Sequence, residues 1–159
     1  MEEIKAPNSY DKARYSVFLA GSIERGKAEQ WQDKIADMLS EFDVQVLNPR
    51  RDDWDLSWEQ VASNPEFKKQ VLWELDAQES ADLIVMYFDE NTKSPITLME
   101  LGLFVKQKPI IVCCPKKFWR QGNVQIVGEK YGAVFTDNKQ QFEKIIKERL
   151  VKKGIKNDK

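Results

Sequence analysis

The sequence predicts one α/β domain in which helices cover both faces of a doubly wound, mostly parallel, five-stranded sheet. Short apolar runs alternate along the chain with longer amphipathic segments, a pattern typical of parallel strands joined by crossover helices. The 159 residues are 42% hydrophobic and 32% charged, and they contain no internal repeat or linker. A single domain over residues 1–159 is therefore expected, with a core from about residue 15 to residue 152 and a basic C-terminal tail.

The predicted elements follow from these runs. The apolar runs predict strands at residues 16–20, 44–47, 82–88, 109–113 and 133–136. The amphipathic segments predict helices at residues 27–41, 57–80, 94–107, 123–130 and 139–152. Pro65 interrupts the second helical segment, so residues 57–62 are expected to form a separate helical turn. Ligands of such domains bind in the crevice at the carboxyl ends of the strands.

Composition excludes several classes of function. The chain has no histidine, which rules out a Ser-His-Asp triad, a Cys-His dyad and a His-ligated metal site within one chain type. The adjacent Cys113 and Cys114 fall in a predicted strand, and we interpret them as core or pocket-wall residues. We expect no metal and no cofactor. A net charge of -1, the lack of a membrane-length apolar stretch and the lack of a secretory signal predict a cytoplasmic protein with no nucleic-acid or membrane partner.

Glu100 is the most informative residue, because it is the only charge in an otherwise apolar helical run that begins at Ser94 and Pro95. These two residues have the pattern of an N-cap and a first helical residue. A buried carboxylate is rare unless it is paired. Glu100 is therefore either a ligand-handling carboxylate near the start of a helix that follows a strand, or the partner of a core Arg or Lys.

Two further segments are predicted to border the crevice. Gly21 and Gly26, with Ser22 between them, either bring backbone amides close to an anion or hydroxyl, or form a plain strand-to-helix turn. Residues 48–55 combine arginines, aspartates and a tryptophan. Trp54 or Trp58 is suited to stack on a planar base while Asp52 or Asp53 accepts its N-H groups. The alternatives are that Arg50 or Arg51 orients these carboxylates, or that the loop is a self-neutralising surface segment.

Four motifs, in order and spacing, resemble the nucleoside 2-deoxyribosyltransferase superfamily, which includes the 2'-deoxynucleoside 5'-monophosphate N-glycosidases. They are the turn Ala20-Gly21-Ser22-Ile23, the acidic Glu74-Leu75-Asp76 before a strand, the element Met99-Glu100-Leu101-Gly102, and the segment Phe118-Trp119-Arg120-Gln121-Gly122-Asn123. The resemblance extends from Val17 to about Gly132. It implies a flavodoxin-like fold and deoxynucleosides, deoxynucleotides and free nucleobases as ligands.

The resemblance also implies a role for individual residues. Glu100 matches the nucleophile that attacks the anomeric carbon of deoxyribose, and Asp76 matches the acid that handles the base. Gly21, Ser22 and Ile23 match a substrate-binding turn. Ser94 matches a position that is aspartate in several transferases but serine in the monophosphate hydrolases, where it meets the phosphate. Asn123 matches a residue that reaches the site of a neighbouring subunit, which implies a homo-oligomer with shared sites.

The chain departs from the family pattern at one position. Family members commonly carry a tyrosine where this sequence has Phe18, so either Tyr15 or Tyr87 replaces it or Glu100 is tuned differently. The leading prediction is a deoxyribosyltransferase that acts through a deoxyribosyl ester on Glu100. The alternatives are an N-glycosidase acting on deoxynucleoside 5'-monophosphates and a nucleotide-binding module without catalysis. Double displacement through a glycosyl ester on a carboxylate needs neither histidine nor metal.

Overall fold

The computed structural model describes residues 1–23 and 30–156. Within these residues a six-stranded sheet has the strand order β1-β3-β2-β4-β5-β6, and every pair in it is parallel. The elements, in chain order, are β1 (Glu2–Lys5), β2 (Ser16–Gly21), α1 (Trp31–Leu39), β3 (Gln45–Asn48), α2 (Pro65–Ser80), β4 (Leu83–Tyr87), α3 (Pro95–Phe104), β5 (Ile110–Cys113), α4 (Gln121–Lys130), β6 (Val134–Thr136) and α5 (Lys139–Lys152).

The sheet has the doubly wound, flavodoxin-like order, extended by one edge strand. The chain passes from β2 to β3 on one side and then crosses to β4 on the other side of β2. The point at which the direction reverses lies between β2 and β4, where Gly21 is in register with Tyr87. This reversal opens a crevice at the carboxyl ends of the two strands, which is where ligands bind in open α/β sheets.

Two apolar cores lie on opposite faces of the sheet, because successive side chains of each strand point to opposite faces. Val17 and Leu19 of β2 face the core formed with α1 and α5. Phe18 and Ala20 face the core formed with α2, α3 and α4. The second core contains the helix that carries Glu100, so this is the face on which the predicted chemistry must lie.

The extra strand β1 is the main difference from the predicted sheet of five strands. Its sequence, Glu-Glu-Ile-Lys, has a single apolar residue and no alternation that would indicate a strand. Residues 2–5 pair with β3 along its free edge and are largely exposed. The strand therefore depends on its partner rather than on its own pattern, and its charges suit an exposed sheet edge.

The second helical segment begins later than predicted. Residues 57–62 form turns and no helix, whereas α2 begins at Pro65. The Asn64 side chain caps the helix by accepting from the backbone N-H groups of Glu66 at 3.1 Å and Phe67 at 3.2 Å. Pro65 at the first helical position is compatible with this start, since its missing N-H would have no helical partner. The first predicted helix begins by Trp31, and residues 27–29 lie outside the described part of the chain.

No helix within residues 1–23 and 30–156 has the length and apolar character needed to cross a membrane.

Gly21 should be intolerant of any side chain. It has φ +154°, and a Cβ atom here would lie 2.2 Å from the Tyr87 carbonyl oxygen and 2.7 Å from Cζ2 of Trp31. We expect Gly21→Ala to lower the free energy of unfolding by about 1–3 kcal/mol, since the backbone must move to admit the methyl group. Gly102→Ala is the control, because nothing lies within 4 Å of a Cβ there. Equal unfolding midpoints for the two variants in urea would contradict this account.

Candidate active site

Glu100 lies on the second turn of α3 with its side chain directed into the protein, and the residue is only 9% exposed. Its carboxylate accepts a hydrogen bond from Nε2 of Gln78 on the neighbouring α2. Burial raises the pKa of Glu100 to about 7, and the Gln78 hydrogen bond opposes this rise. Within residues 1–23 and 30–156, its side-chain hydrogen-bond partner is thus a neutral amide rather than the Arg or Lys of a structural ion pair.

Glu74 is the second carboxyl group of this site. It lies one turn before Gln78 on α2 and is partly buried. Burial, and next the like charge of Glu100, raise the pKa of Glu74 to about 8, while a hydrogen bond from Gln70 lowers it. Two neighbouring carboxyl groups in a desolvated place do not ionise together easily, so Glu74 keeps its proton after Glu100 has lost its own.

A stripe of polar residues on one face of α2 explains why Gln78 and Glu74 lie near Glu100. Glu66, Gln70, Glu74 and Gln78 recur at intervals of four residues, so they share one helix face. Gln70 donates through Nε2 to the carbonyl oxygen of Pro49 at 2.9 Å, and Gln78 donates to Glu100. The stripe therefore runs from the loop after β3 to the carboxylate on α3.

Asp76, the predicted acid, lies near Tyr10 and Lys12. Its side chain is about half exposed, and its carboxylate accepts from the Tyr10 hydroxyl and from Nζ of Lys12 at 3.3 Å. The Tyr10 hydrogen bond is the main reason that the pKa of Asp76 is lowered. Two residues turn an α-helix by about 200°, so residues 74 and 76 point in nearly opposite directions. The structure brings Glu74 to Glu100, and it leaves Asp76 with Tyr10 and Lys12.

Three hydroxyl groups meet at the start of α3, in the crevice between β2 and β4. The oxygen atoms of Ser22 and Thr92 are 3.0 Å apart, those of Thr92 and Ser94 are 2.7 Å apart, and Ser22 also contacts Ser94. All three residues are buried. Ser94 has φ 46° and ψ 51°, a left-handed conformation that costs a non-glycine residue of order 1–3 kcal/mol. Strain of this kind at a helix N-terminus is typical of sites that hold a ligand.

The turn after β2 contributes the Ser22 hydroxyl group to the cluster, whereas the backbone N-H of Ser22 is already hydrogen-bonded. The Ser22 N-H donates to the Tyr87 carbonyl oxygen at 3.1 Å and so continues the sheet. Its Oγ accepts from the backbone N-H of Asp89 at 3.0 Å. Ile23 follows and is partly buried, whereas Gly26 lies outside the described residues. Close packing thus explains why residue 21 is a glycine, and the hydroxyl cluster explains why residue 22 is a serine.

In the loop after β3, Arg51 forms a cluster with Asp53, Trp54 and Trp58. Arg51 pairs with Asp53 through Nε and Nη2, both at 3.0 Å. The Arg51 guanidinium lies 5.7 Å from the Trp54 ring and 5.3 Å from the Trp58 ring. The two indoles meet edge to face with centroids 4.9 Å apart. In this conformation Trp54 and Asp53 are engaged by Arg51, in agreement with the hypothesis that an arginine orients the carboxylates.

The tyrosines proposed to replace the family residue at Phe18 lie on the wrong face of the sheet. Tyr15 and Tyr87 belong to the core with α1 and α5, whereas Phe18 faces α2 and α3. Tyr10 lies on the Phe18 side, in edge contact with Trp73, which also contacts Phe18. Burial raises the pKa of Tyr10 to about 12, so its hydroxyl is a proton donor to Asp76 at neutral pH.

Asn123 lies exposed on the first turn of α4. The helix next to it, α3, exposes Ile96, Met99 and Leu103 by 59%, 62% and 50%. Ile126, one turn after Asn123, is 68% exposed. We call these five residues the α3–α4 face.

Sequence reasoning missed Glu74, Gln78 and Thr92 as site residues. The spacing of Gln70, Glu74 and Gln78 at four-residue intervals was the signal for the first two, since it marks a polar stripe on a helix that must pack. Thr92 lies in a loop with no periodic signal. Its position depends on the return of the chain to β2, which only the tertiary structure shows.

A doubly wound domain with a pair of carboxyl groups and a hydroxyl cluster belongs to the class of open α/β sheets whose ligands bind at the switch-point crevice. Within that class, the model of the family described as nucleoside 2-deoxyribosyltransferase like matches residues 14–118. This match covers more than half of the chain, so the protein belongs to this family, as its motifs indicated. No curated protein matches the chain.

The carboxyl pair should make stability depend on pH in a defined direction. The pKa of Glu74 is raised from 4.5 to about 8, so its contribution to stability is complete below about pH 4.5 and is lost as the pH rises through about 8. We expect Glu74→Gln, which cannot ionise, to gain unfolding free energy relative to the wild type between about pH 5 and pH 8.5. Urea unfolding at several pH values measures this difference. The exposed Glu79→Gln on the same helix is the control, and a wild-type curve parallel to that of Glu74→Gln would contradict the assignment.

Proposed function

We propose that this protein transfers 2-deoxyribose between nucleobases through a covalent deoxyribosyl ester on Glu100. The observation that carries the proposal is the buried Glu100, which accepts a hydrogen bond from Gln78 of α2 and interacts electrostatically with Glu74 one turn earlier on that helix. One group has the properties of a nucleophile, and the other keeps a proton at neutral pH. Family membership supports the same chemistry.

In the first displacement, a carboxylate oxygen of Glu100 bonds to the anomeric carbon and the bond from that carbon to the base nitrogen breaks. The electron pair of the broken bond stays on the base, and Glu74 supplies the proton that neutralises it. Gln78 holds the Glu100 carboxylate in place through its hydrogen bond. Neighbouring carboxyls with one proton between them are suited to these two roles.

In the second displacement, a nitrogen of an incoming base attacks the anomeric carbon and the ester bond breaks. Its electron pair returns to Glu100, and the proton of the incoming base passes to Glu74. Two displacements at one carbon give net retention of configuration. No cofactor or metal takes part in these steps.

The hydroxyl cluster of Ser22, Thr92 and Ser94 supports binding of the sugar 5' end. Hydroxyl groups can both donate and accept, so they suit a 5' hydroxyl. The same cluster, at the N-terminus of α3, also suits a 5' phosphate. This observation favours a second candidate function, hydrolytic release of the base from deoxynucleoside 5'-monophosphates.

Base exchange tests the leading proposal. Deoxynucleosides and their 5'-monophosphates are each incubated with a different free base, and the products are separated by chromatography. We expect exchanged nucleoside, and a deoxyribosyl adduct on the peptide that contains Glu100 by mass spectrometry. Glu100→Gln should lose both, with a rate loss of many orders of magnitude because the covalent step is removed.

The outcomes separate the candidates. Base release from monophosphates without exchange would favour the hydrolase over the transferase. Binding without any turnover would leave a nucleotide-binding module. Full activity of Glu100→Gln would remove the nucleophile assignment.

Glu74 and Asp76 compete for the role of the acid, and matched amide variants distinguish them. We expect Glu74→Gln to lower the rate of base departure about 10²–10⁴-fold, the usual worth of a general acid, and Asp76→Asn to change it little. The wild-type profile of kcat/KM should rise as Glu100 ionises near pH 7 and fall as Glu74 ionises near pH 8. Glu74→Gln should lack the alkaline fall. If Asp76→Asn is the variant that loses activity and the alkaline limb, the acid is Asp76.

The α3–α4 face supports the proposal of a homo-oligomer with shared sites. Contiguous exposed apolar residues of this kind mark interaction surfaces, and a symmetric dimer would bury the same face of both copies. Asn123 lies on this face, and Glu100 is on the inner side of the same α3 helix. A second copy at this face would bring its Asn123 towards the crevice of the first.

Subunit mixing tests the shared site. We expect Glu100→Ala and Asn123→Ala each to be inactive alone, and their mixture to recover part of the activity, because a hybrid dimer contains one site with both native residues. Size-exclusion chromatography and exchange of tagged subunits establish that hybrids form. A mixture of exchanged but inactive subunits would show that each site is complete within one chain.

A further inference from the structure

Three buried polar atoms near the carboxyl pair have no hydrogen-bond partner. Within the described residues they are Nη1 of Arg51, Oε1 of Gln70 and Oε1 of Gln78. Buried polar atoms are almost always paired, so an orphaned set needs an explanation. These three lie along the inner stripe of α2 and the loop that covers its start. The stripe therefore presents unused hydrogen-bonding capacity on both sides of Glu74.

Arg51 is fixed with one donor left over. Its side chain is only 6% exposed, and Asp53, Trp54 and Trp58 hold the guanidinium on its other sides. The nearest carboxylate to Nη1, that of Glu66, is 3.9 Å away, which is beyond hydrogen-bonding distance. A guanidinium cannot accept a hydrogen bond or lose its proton, so Nη1 remains a cationic donor.

Gln70 is fixed with one acceptor left over. Its Nε2 donates to the Pro49 carbonyl oxygen, and a carbonyl can only accept, so this bond determines which end of the amide is oxygen. The residue is 7% exposed. Gln70 and Glu66 are one helical turn apart, which places the Gln70 acceptor and the Arg51 donor in the same part of the stripe.

The position of this pair along α2 matches the direction of the base. Gln78 lies beside Glu100, where the sugar carbon must react. Glu74 is about 6 Å further along the helix, and Gln70 is about 6 Å beyond Glu74, at 1.5 Å per residue. A base that leaves the sugar towards Glu74 therefore directs its far edge to Gln70 and Arg51.

We propose that Arg51 and Gln70 determine base specificity by binding the edge of an oxo base, in which a ring N-H lies next to an exocyclic carbonyl. The inference rests on the proposed function for the direction of the base. The cationic Arg51 donor gives its strongest hydrogen bond to an oxygen with partial negative charge, and Gln70 accepts from the neighbouring ring N-H. Hypoxanthine, guanine, uracil and thymine have this edge.

An amino base fits the pair poorly. Adenine and cytosine place an amino donor where the oxo bases have the carbonyl, so a donor faces the Arg51 donor. The adjacent ring nitrogen of these bases carries no hydrogen. It is therefore an acceptor, and it faces the Gln70 oxygen, which is also an acceptor. Sites that bury polar groups discriminate strongly against a ligand that leaves those groups unpaired. Because both atoms are buried in this conformation, the loop of residues 49–64 must shift when a base enters.

Binding of free bases tests this without turnover. Hypoxanthine is compared with adenine, and uracil with cytosine, by isothermal titration calorimetry on the wild type, Gln70→Leu, Arg51→Met and Gln32→Leu. Gln32 is the matched control, since it is also buried and has unpaired amide atoms, but it lies on α1 across the sheet. We expect the wild type and Gln32→Leu to bind the oxo member of each pair at least about tenfold tighter. The preference should fall to within about twofold in Gln70→Leu and Arg51→Met, as expected when the discriminating bonds are lost.

Several results would overturn the inference: no base binding by the wild type, equal or tighter binding of the amino bases, or a preference that survives in the folded variants. If Gln70→Leu shows no thermal unfolding transition, it is not folded and cannot be used. The base preference of Arg51→Met, compared with that of the wild type, then decides whether the inference holds. The exchange assay on the wild type distinguishes the two proposals. Exchange without an oxo preference removes the base-edge assignment alone, whereas an oxo preference without any glycosyl turnover removes the proposed function alone.

Discussion

The desolvated carboxyl pair of Glu100 and Glu74 is the constraint on which the rest of the site depends. Burial penalises each charge, and the charge of Glu100 further penalises that of Glu74. The hydrogen bond from Gln78 favours the charged form of Glu100, whereas burial and the charge of Glu100 outweigh the hydrogen bond from Gln70 and favour the protonated form of Glu74. This explains why a helix that packs against the sheet carries a polar stripe on its inner side. An apolar stripe would pack better, but it would leave Glu100 without a donor.

The sheet determines where that pair is used. Reversal of the strand order between β2 and β4 opens the crevice, and Gly21 lets Tyr87 and Trp31 approach β2 closely at its end. The same approach brings Ser22 to Thr92 and Ser94 at the start of α3. Glu100 lies on the second turn of this helix, so one helix orders both the hydroxyl cluster and the carboxylate. The rise of α3 thereby sets the distance between the hydroxyl cluster and the Glu100 carboxylate.

The loop after β3 and the outer side of α3 differ in their chemistry. The loop after β3 buries its arginine among aromatic rings and keeps a charged donor next to α2, although Asp53 itself is exposed. The outer side of α3 exposes Ile96, Met99 and Leu103, and α4 exposes Ile126. Glu100 therefore lies on a helix whose inner side is desolvated by its own chain and whose outer side is suited to a second copy. Association would add rigidity to the helix that holds the carboxylate, since packing on both sides restricts it.

The sequence by itself determined the α/β class and the five strands β2 to β6, because apolar periodicity is a local property. It also singled out Glu100 as an unexplained charge, and Ser22 and Ser94 at turns beside regular elements, as candidate site residues. It did not determine β1, whose four residues become a strand only by pairing with β3, nor which of Glu74 and Asp76 faces Glu100. Both acids lie two residues apart on one helix, and their spacing is compatible with either orientation. Only the packing of α2 against α3 decided that residue 74 faces Glu100 and residue 76 faces Tyr10, since the face a helix buries depends on the neighbours the fold supplies.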